Sequence, residues 1–374
     1  MSKSLARNKN LDYSLLAIIA IIVITGIVIL SSVSAAFAFK RYGDTYHFLK
    51  HQILFGLLPG LFLGFLAYKI KLSFFKKWSG PFILLALIMM ILVFLPGIGS
   101  SSGDAARWIR VGSFSFQPSE ALKLAFVIYL AAWLSNRLEK IKQNKEASFW
   151  GTFLSFLMVL GVIIVLLFCQ SNASTLGVIA AVGIIMYFST NTPVLHTIIT
   201  VLLGGGGLFL IIKAAPYRVS RWMVFLNPDL DPMGKGYQLQ QALIAVGSGG
   251  VGGAGLGMSA QKFGFLPQTV SDSIFAVFAE ETGFIGAAIL IFLFLIFLWR
   301  GLNAVKESQD NFPKLLALGI TSWIIIQTFV NIGAMIGILP LTGIPLPFIS
   351  YGGSALTAEL IGMGLLLNIS KNST

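Results

Sequence analysis

The sequence predicts an all-α polytopic membrane protein. Ten transmembrane helices are expected, with a large extracytoplasmic loop between the seventh and eighth. Three observations carry this. The 374-residue chain is 56% hydrophobic and 11% charged, where a soluble domain carries about 25% charged residues. Its mean hydropathy is +0.86. Its apolar residues fall into runs near the ~20 residues that a helix needs to cross a bilayer, separated by short polar clusters. The whole chain, 1–374, reads as one integral-membrane domain.

The spans are expected at 13–35, 52–69, 79–98, 119–136, 149–169, 173–190, 193–213, 273–299, 314–337 and 350–370. The first offers a small-residue site, "SAAFAF". Its uncharged run is nevertheless far longer than the roughly 7–15-residue core of a cleaved signal peptide, so it is expected as a retained span. Stretch 147–212 contains no Asp, Glu, Lys or Arg. It is too long for two spans and fits three, broken at "QSNAS" and "STNTP". Orientation follows from Lys and Arg. With the N-terminus inside, one side carries Lys3, Arg7, Lys9, Lys69, Lys71, Lys76, Lys77, Arg137, Lys140, Lys142, Lys145, Arg300, Lys306, Lys314 and Lys371. The short loops opposite carry five, and long loop 214–272 counts little under the positive-inside rule. Both termini are therefore expected in the cytoplasm, with 97–118, 214–272 and 338–349 outside.

The net charge of +12 is scattered among these clusters, which excludes nucleic acid as a partner. The single cysteine, Cys169, excludes a disulfide framework and has no Cys or His nearby to share a metal. It is expected as a small buried core residue.

The glycine-rich stretch "GSGGVGGAGLG", 247–257, formally contains G-x-G-x-x-G at Gly247, Gly249 and Gly252. The strand–turn–helix context of a dinucleotide site is missing, so no nucleotide is expected. A backbone that turns tightly or approaches a ligand closely fits better. Just before it, Tyr237–Val246 has amphipathic spacing. It is expected as a helix on the outer membrane face, with Gln238 and Gln241 turned to water. Asp229 and Asp231 alone make a weak metal signal.

Arg107 and Arg110 flank Trp108 in an outer loop, and Pro118 opens the fourth span. Proline suits a helix's first turn, where its missing N–H would lack a partner anyway. Glu120 and Lys123 are three residues apart and share a face. They form either a structural ion pair or part of a substrate path, since ionisable residues within spans are costly. Arg218 and Arg221 present planar guanidinium forks suited to phosphate. Stretch 341–355, "LTGIPLPFISYGGSA", is either an ordinary loop or a re-entrant segment against a site. In the second case Ser350, Gly352 and Gly353 are candidates for substrate contact. Glu359, inside the last span, needs a partner, and Lys123 is a candidate. In "LPQTVSDSIFAVFAEE", 266–281, Asp272 is expected as the N-cap of the eighth span, as a reactive carboxylate, or as both. Glu280 and Glu281 read as pocket-wall or packing residues.

Four stretches in order resemble the shape, elongation, division and sporulation (SEDS) family, whose members include FtsW and RodA. They are "ARWIRVGSFSFQPSEALKL", "NPDLDPMGKGYQLQQALIAVGSGGVGGAGLG", "QKFGFLPQTVSDSIFAVFAEETGFIG" and "GILPLTGIPLPFISYGGSAL". The resemblance covers nearly the whole chain, and its loops look more like the division member, FtsW, than RodA. It implies a peptidoglycan glycosyltransferase that polymerises lipid II, a disaccharide-pentapeptide on undecaprenyl diphosphate, during cell division. The family's catalytic acid maps to Asp272, and its important Glu and Lys map to Glu120 and Lys123. One departure is "QSNAST", where Asn172 stands in place of a family acid. Glu359 is not part of the family pattern.

Chemically, a sugar hydroxyl must attack an anomeric carbon while a lipid diphosphate leaves. A carboxylate taking that proton is typically worth about 10²–10⁴-fold, and Asp272 is the candidate. Lys123, Arg107, Arg218 and Arg221 are candidates to hold the diphosphate. Its hard oxygens also admit a divalent cation, Mg or Mn. The implied partners are a cognate class B penicillin-binding protein, other divisome proteins and the membrane lipid. A lipid II flippase and a non-catalytic divisome scaffold are the alternatives from other classes.

Overall fold

The computed structural model describes residues 12–97, 99–102, 105–111, 114–142, 149–190, 192–213, 222–231 and 233–373. Among them, eight helices are long and apolar enough to cross a membrane. These are α1 (Tyr13–Tyr42), α2 (His47–Lys69), α3 (Leu72–Leu92), α4 (Pro118–Lys142), α5 (Phe149–Cys169), α9 (Ile274–Glu307), α10 (Asn311–Met335) and α11 (Gly353–Ser373). Two further apolar helices, α6 (Ala173–Phe188) and α7 (Val194–Lys213), follow α5. The uncharged stretch therefore divides into three helices close to the expected bounds. A surface helix, α8 (Lys235–Ser248), precedes α9.

Several helices outrun their expected spans, because local chemistry rather than bilayer thickness ends them. Asp12 starts α1 by accepting from the Leu15 N–H at 2.9 Å, and Arg300 at the far end of α9 pairs with the same carboxylate. Nothing stops α1 until Gly43, which adopts φ 70° and closes the last turn on Phe39. In α2 the turn Ile53–Leu57 widens to π geometry. Pro59 follows it, and its ring crowds the carbonyl four residues back. α2 then packs on α11 through Gly56, Gly60 and Gly64. A Cβ built on Gly364 would lie 2.0 Å from the Gly64 carbonyl oxygen. Without a hydrophobic drive between helices in lipid, such backbone contact supplies the packing.

The stretch between α3 and α4, expected as a plain loop, holds a small antiparallel meander. It comprises β1 (Gly99–Ser102), β2 (Ala105–Val111) and β3 (Phe114–Phe116), in the order β1-β2-β3. Cys169 also departs from expectation. It lies exposed at the end of α5, because an apolar residue in a membrane bundle need not face the core.

Helix α9 is broken. Gly283 has φ 67° and ψ −167°, and the glycine-rich loop fills the gap. Ala254 and Gly255 donate to the carbonyls of Glu280 and Glu281, while Phe284 and Ile285 donate to those of Gly250 and Val251. A Cβ on Gly283 would meet the Gly253 nitrogen at 2.3 Å. The close approach predicted for this loop is therefore made to a helix backbone. Side chains complete the dock. The Glu280 carboxylate accepts from the Ser259 hydroxyl and the Ala260 N–H. Glu281 pairs with Lys262 at 3.0 Å and accepts from Ser32 of α1 at 2.9 Å. Gln238, expected in water, instead donates to the Ser273 hydroxyl at 3.1 Å. It thereby ties α8 to the start of α9.

Candidate active site

The starts of α4, α6, α9 and α11 converge at one end of the bundle around a cavity of about 170 Å³. Arg107, Glu120, Lys123, Asp272 and Gly352 all line it, so five of the predicted site residues meet there. Their positions in the chain range from β2 to the approach to α11.

Pro118 opens α4 and puts Glu120 in its first turn, where a carboxylate is favoured by the helix's free N–H groups. Lys123 lies one turn on and pairs with Glu120 at 2.8 Å, both side chains buried. The Lys123 ammonium also donates to Gln327 Oε1 at 2.8 Å and stands 5.2 Å from the centre of the Trp323 ring. Gln327 Oε1 accepts from the Trp323 indole as well, and its amide donates to the Pro345 carbonyl at 3.0 Å. The lysine is thus held from three sides. Its partner is Glu120 rather than Glu359.

Asp272 is not the cap of α9. That position belongs to Ser273, and Asp272 lies one residue outside the helix, half-buried against the cavity. Its carbonyl accepts from Asn331 at 2.8 Å, and the same amide reaches the Ile344 carbonyl at 2.7 Å. Ser271 donates to Asp272 Oδ1 at 3.0 Å. One asparagine therefore fixes Asp272 and the 341–352 segment together.

That segment has the irregular backbone expected for it and packs against the cavity. Tyr351 N–H donates to the Val270 carbonyl at 2.9 Å, and Ser350 bridges the Leu346 N–H to the Ser271 carbonyl. Ser350 is therefore a strut behind the cavity wall. Gly353 packs its backbone on α2, where an added Cβ would lie 2.7 Å from the Phe55 carbonyl oxygen. Phe348 holds φ 65°, a strained value for a bulky residue. Glu359 stabilises it by accepting from the Phe348 N–H at 2.8 Å. The intramembrane acid thus acts on the backbone of this loop. The Tyr351 phenol bonds His51 Nδ1 at 3.0 Å. Burial pushes that phenol up to about 12, so it stays protonated beside the cavity.

Arg107 reaches from β2 to the end of α5. Its guanidinium donates to the carbonyls of Gln170, at 3.3 Å, and Ser171. A cation suits those carbonyls, which lack partners within the helix. Asn172, at the position of the family acid, caps α6 by accepting from the Thr175 N–H and donates to Ser119 at 3.2 Å. Arg218 and Arg221 lie outside the described residues. Among the described residues, no three His, Cys, Asp or Glu side chains converge as a metal-ligand set.

Sequence reasoning missed Trp323, Gln327 and Asn331. Their signal was present, as three hydrogen-bonding residues four apart on one face of a span. Attention to charge alone passes over it.

Fold and cavity together define a polytopic membrane protein with a buried acid and cation cluster at one end of its bundle. The chain belongs to the cell cycle protein family of FtsW, RodA and SpoVE, whose model matches residues 12–374. It is 38% identical over 360 residues to stage V sporulation protein E of Bacillus subtilis (strain 168), covering 96% of this chain and 97% of that one. It is 36% identical over 364 residues to a probable peptidoglycan glycosyltransferase FtsW of Geobacter sp. (strain M18), covering 97% and 98%. Its fold is similar to a chain solved in a study of structural coordination of polymerization and crosslinking by a peptidoglycan synthase complex. The TM-score is 0.77 at 27% identity, covering 97% and 98%.

Proposed function

We propose that this chain is a peptidoglycan glycosyltransferase that polymerises lipid II into glycan strands, with Asp272 as general base. One observation carries the reading: residues remote in sequence bring a half-buried carboxylate, a fixed ammonium and a guanidinium to one cavity. Asp272 takes the proton from the attacking sugar hydroxyl as the new glycosidic bond forms at the anomeric carbon. The bond to the lipid diphosphate breaks, and its electron pair leaves on the diphosphate. Lys123 and Arg107 stabilise that charge, with Arg218 and Arg221 as further candidates. Glu120 keeps Lys123 aimed. A divalent cation, Mg or Mn, would find carboxylate oxygens of Asp272 and Glu120 together with the diphosphate's own. Mg is commonly held this way, by one or two carboxylates plus substrate phosphates. Bound there, it would neutralise diphosphate charge.

In this reading the chain spans the cytoplasmic membrane ten times, α6 and α7 included, with both termini inside. The cavity opens at the outer face, where the lipid II headgroup stands with its tail in the bilayer. A class B penicillin-binding protein crosslinks the strands alongside other divisome proteins. Identity to a sporulation protein favours a second setting for the same chemistry, wall synthesis during sporulation rather than division.

The test is Asp272→Asn with purified chain, labelled lipid II and the cognate transpeptidase. The expected result is loss of glycan ladders by about 10²-fold or more with an unchanged melting profile. Ladders at near parental rate would remove the catalytic role. Transfer of label across the bilayer without ladders would mean a flippase, and neither activity would leave a scaffold.

A further inference from the structure

A second cavity lies at the opposite end of the bundle. α2 begins beside the catalytic cavity, where His51 meets Tyr351, and ends at Lys69. α11 leaves that cavity at Gly353 and reaches Lys371, roughly 27 Å away at ~1.5 Å per residue. Between these ends and the start of α3 is a pocket of about 260 Å³, whose lining includes Tyr68, Lys69, Lys71, Asn368 and Lys371.

The pocket gathers positive charge on a fixed frame. The Lys69 and Lys371 ammoniums lie 5.7 Å and 5.1 Å from the centre of the same Tyr68 ring. Lys71 stands at the N-cap of α3, whose first turn has neither an acid nor a side-chain cap. Asn368 fixes the turn between α2 and α3 by donating to the carbonyls of Ala67 at 2.9 Å and Ile70 at 2.7 Å. Among the described residues, no carboxylate is in the lining. Glu139, on α4, is engaged by Lys76 at 3.0 Å. Three like charges lining one pocket, with no counter-charge among the described residues, repel one another, and an anion would relieve that.

The neighbourhood indicates which anion. Lys69 also lies 5.4 Å from the centre of the Phe65 ring. Phe65 and Phe62 are 58% and 64% exposed on the face of α2 that leads away from the pocket. A charged pocket at the end of a span continues directly into an apolar track along that span. A free phosphate would use only the pocket, whereas a phospholipid uses both. We propose that this pocket binds the phosphate headgroup of an anionic phospholipid, with its acyl chains along the exposed face of α2. Basic pockets between helices at a membrane surface recognise headgroups in this way.

The experiment uses the full chain in phosphatidylcholine nanodiscs with phosphatidylglycerol added, and native mass spectrometry counts retained lipid. The parental chain should retain phosphatidylglycerol. The triple variant Lys69→Gln, Lys71→Gln, Lys371→Gln should weaken that retention about 100-fold, from ~1 kcal/mol per lysine. The Arg triple at the same positions should keep it, and Lys314→Gln, elsewhere on the chain, should have no effect. Retention in the Gln triple within about threefold of the parent would overturn the proposal. So would displacement of the lipid by millimolar inorganic phosphate, which would mark a free-anion site. Equal retention of phosphatidylcholine would overturn it too, by removing the charge selection.

Discussion

Lys262 and Glu281 clamp the glycine-rich loop to the break in α9, and the loop runs on from Lys262 to Asp272. The pair is 3.0 Å apart, with side chains 5% and 2% exposed. Lys262 also donates to the Gly257 carbonyl at 2.6 Å. Glu281→Leu would leave the ammonium buried without its counter-charge, which costs about 3–5 kcal/mol. Lys262→Met should cost a similar amount by stranding the carboxylate, eased only by Ser32. Replacing both by apolar residues of similar volume is often neutral. The double variant should therefore regain most of the loss, with a coupling energy of at least about 3 kcal/mol. Activity should follow, since a misplacement of ~1 Å at the reacting group can cost about 100-fold. Each single variant should lose lipid II polymerisation on that scale while still folded, and the double should recover part of it. The measurements are reversible unfolding in mixed micelles and glycan ladders at a temperature below every transition. Single losses under about 1 kcal/mol that simply add in the double variant would refute a buried, coupled pair.

Three further outcomes follow from the same structure. Glu359→Gln keeps an acceptor for the Phe348 N–H and should stay within about 1 kcal/mol of the parent. Glu359→Leu should lose a further ~1–3 kcal/mol and slow turnover, because a buried donor is stranded; equal behaviour of the two in melting assays would exclude the clamp on Phe348. Gly364→Ala should destabilise by about 1–3 kcal/mol through overpacking against Gly64. Gly204→Ala, with nothing within 4 Å of the added Cβ, should be neutral or stabilising by up to ~1 kcal/mol; thermal melts of the two compare them directly. Arg107→Lys cannot reproduce the two-carbonyl grip on the end of α5 and should cut polymerisation about tenfold, from ~1.5 kcal/mol for a charged hydrogen bond. Parental kinetics in that variant would separate Arg107 from the reaction.

The helices were legible because bilayer physics writes them as apolar runs, and even the uncharged 147–212 stretch divided where polar residues interrupt it. Their ends were less legible. Helix α9 runs on to Glu307, and what breaks it is a contact with a loop that arrives from elsewhere in the sequence. That contact is also why Glu280 and Glu281 had no readable role: their partners Ser259, Ala260, Lys262 and Ser32 are set by tertiary packing. Cys169 failed for a different reason, since lipid removes the link between apolar and buried.

Asp272 shows how far spacing can be taken. Its neighbours offered two compatible readings, a cap and a reactive acid, because both begin with an aspartate before an apolar run. The cap reading turned on a single residue of register. Ser273 takes the cap position, its hydroxyl accepts from Gln238, and Asp272 falls one step outside the helix with its backbone held by Asn331. Asp272→Asn should leave the helix start intact, because Asn caps about as well as Asp. Any loss of polymerisation in that variant then reports on the carboxylate's chemistry and not on the fold.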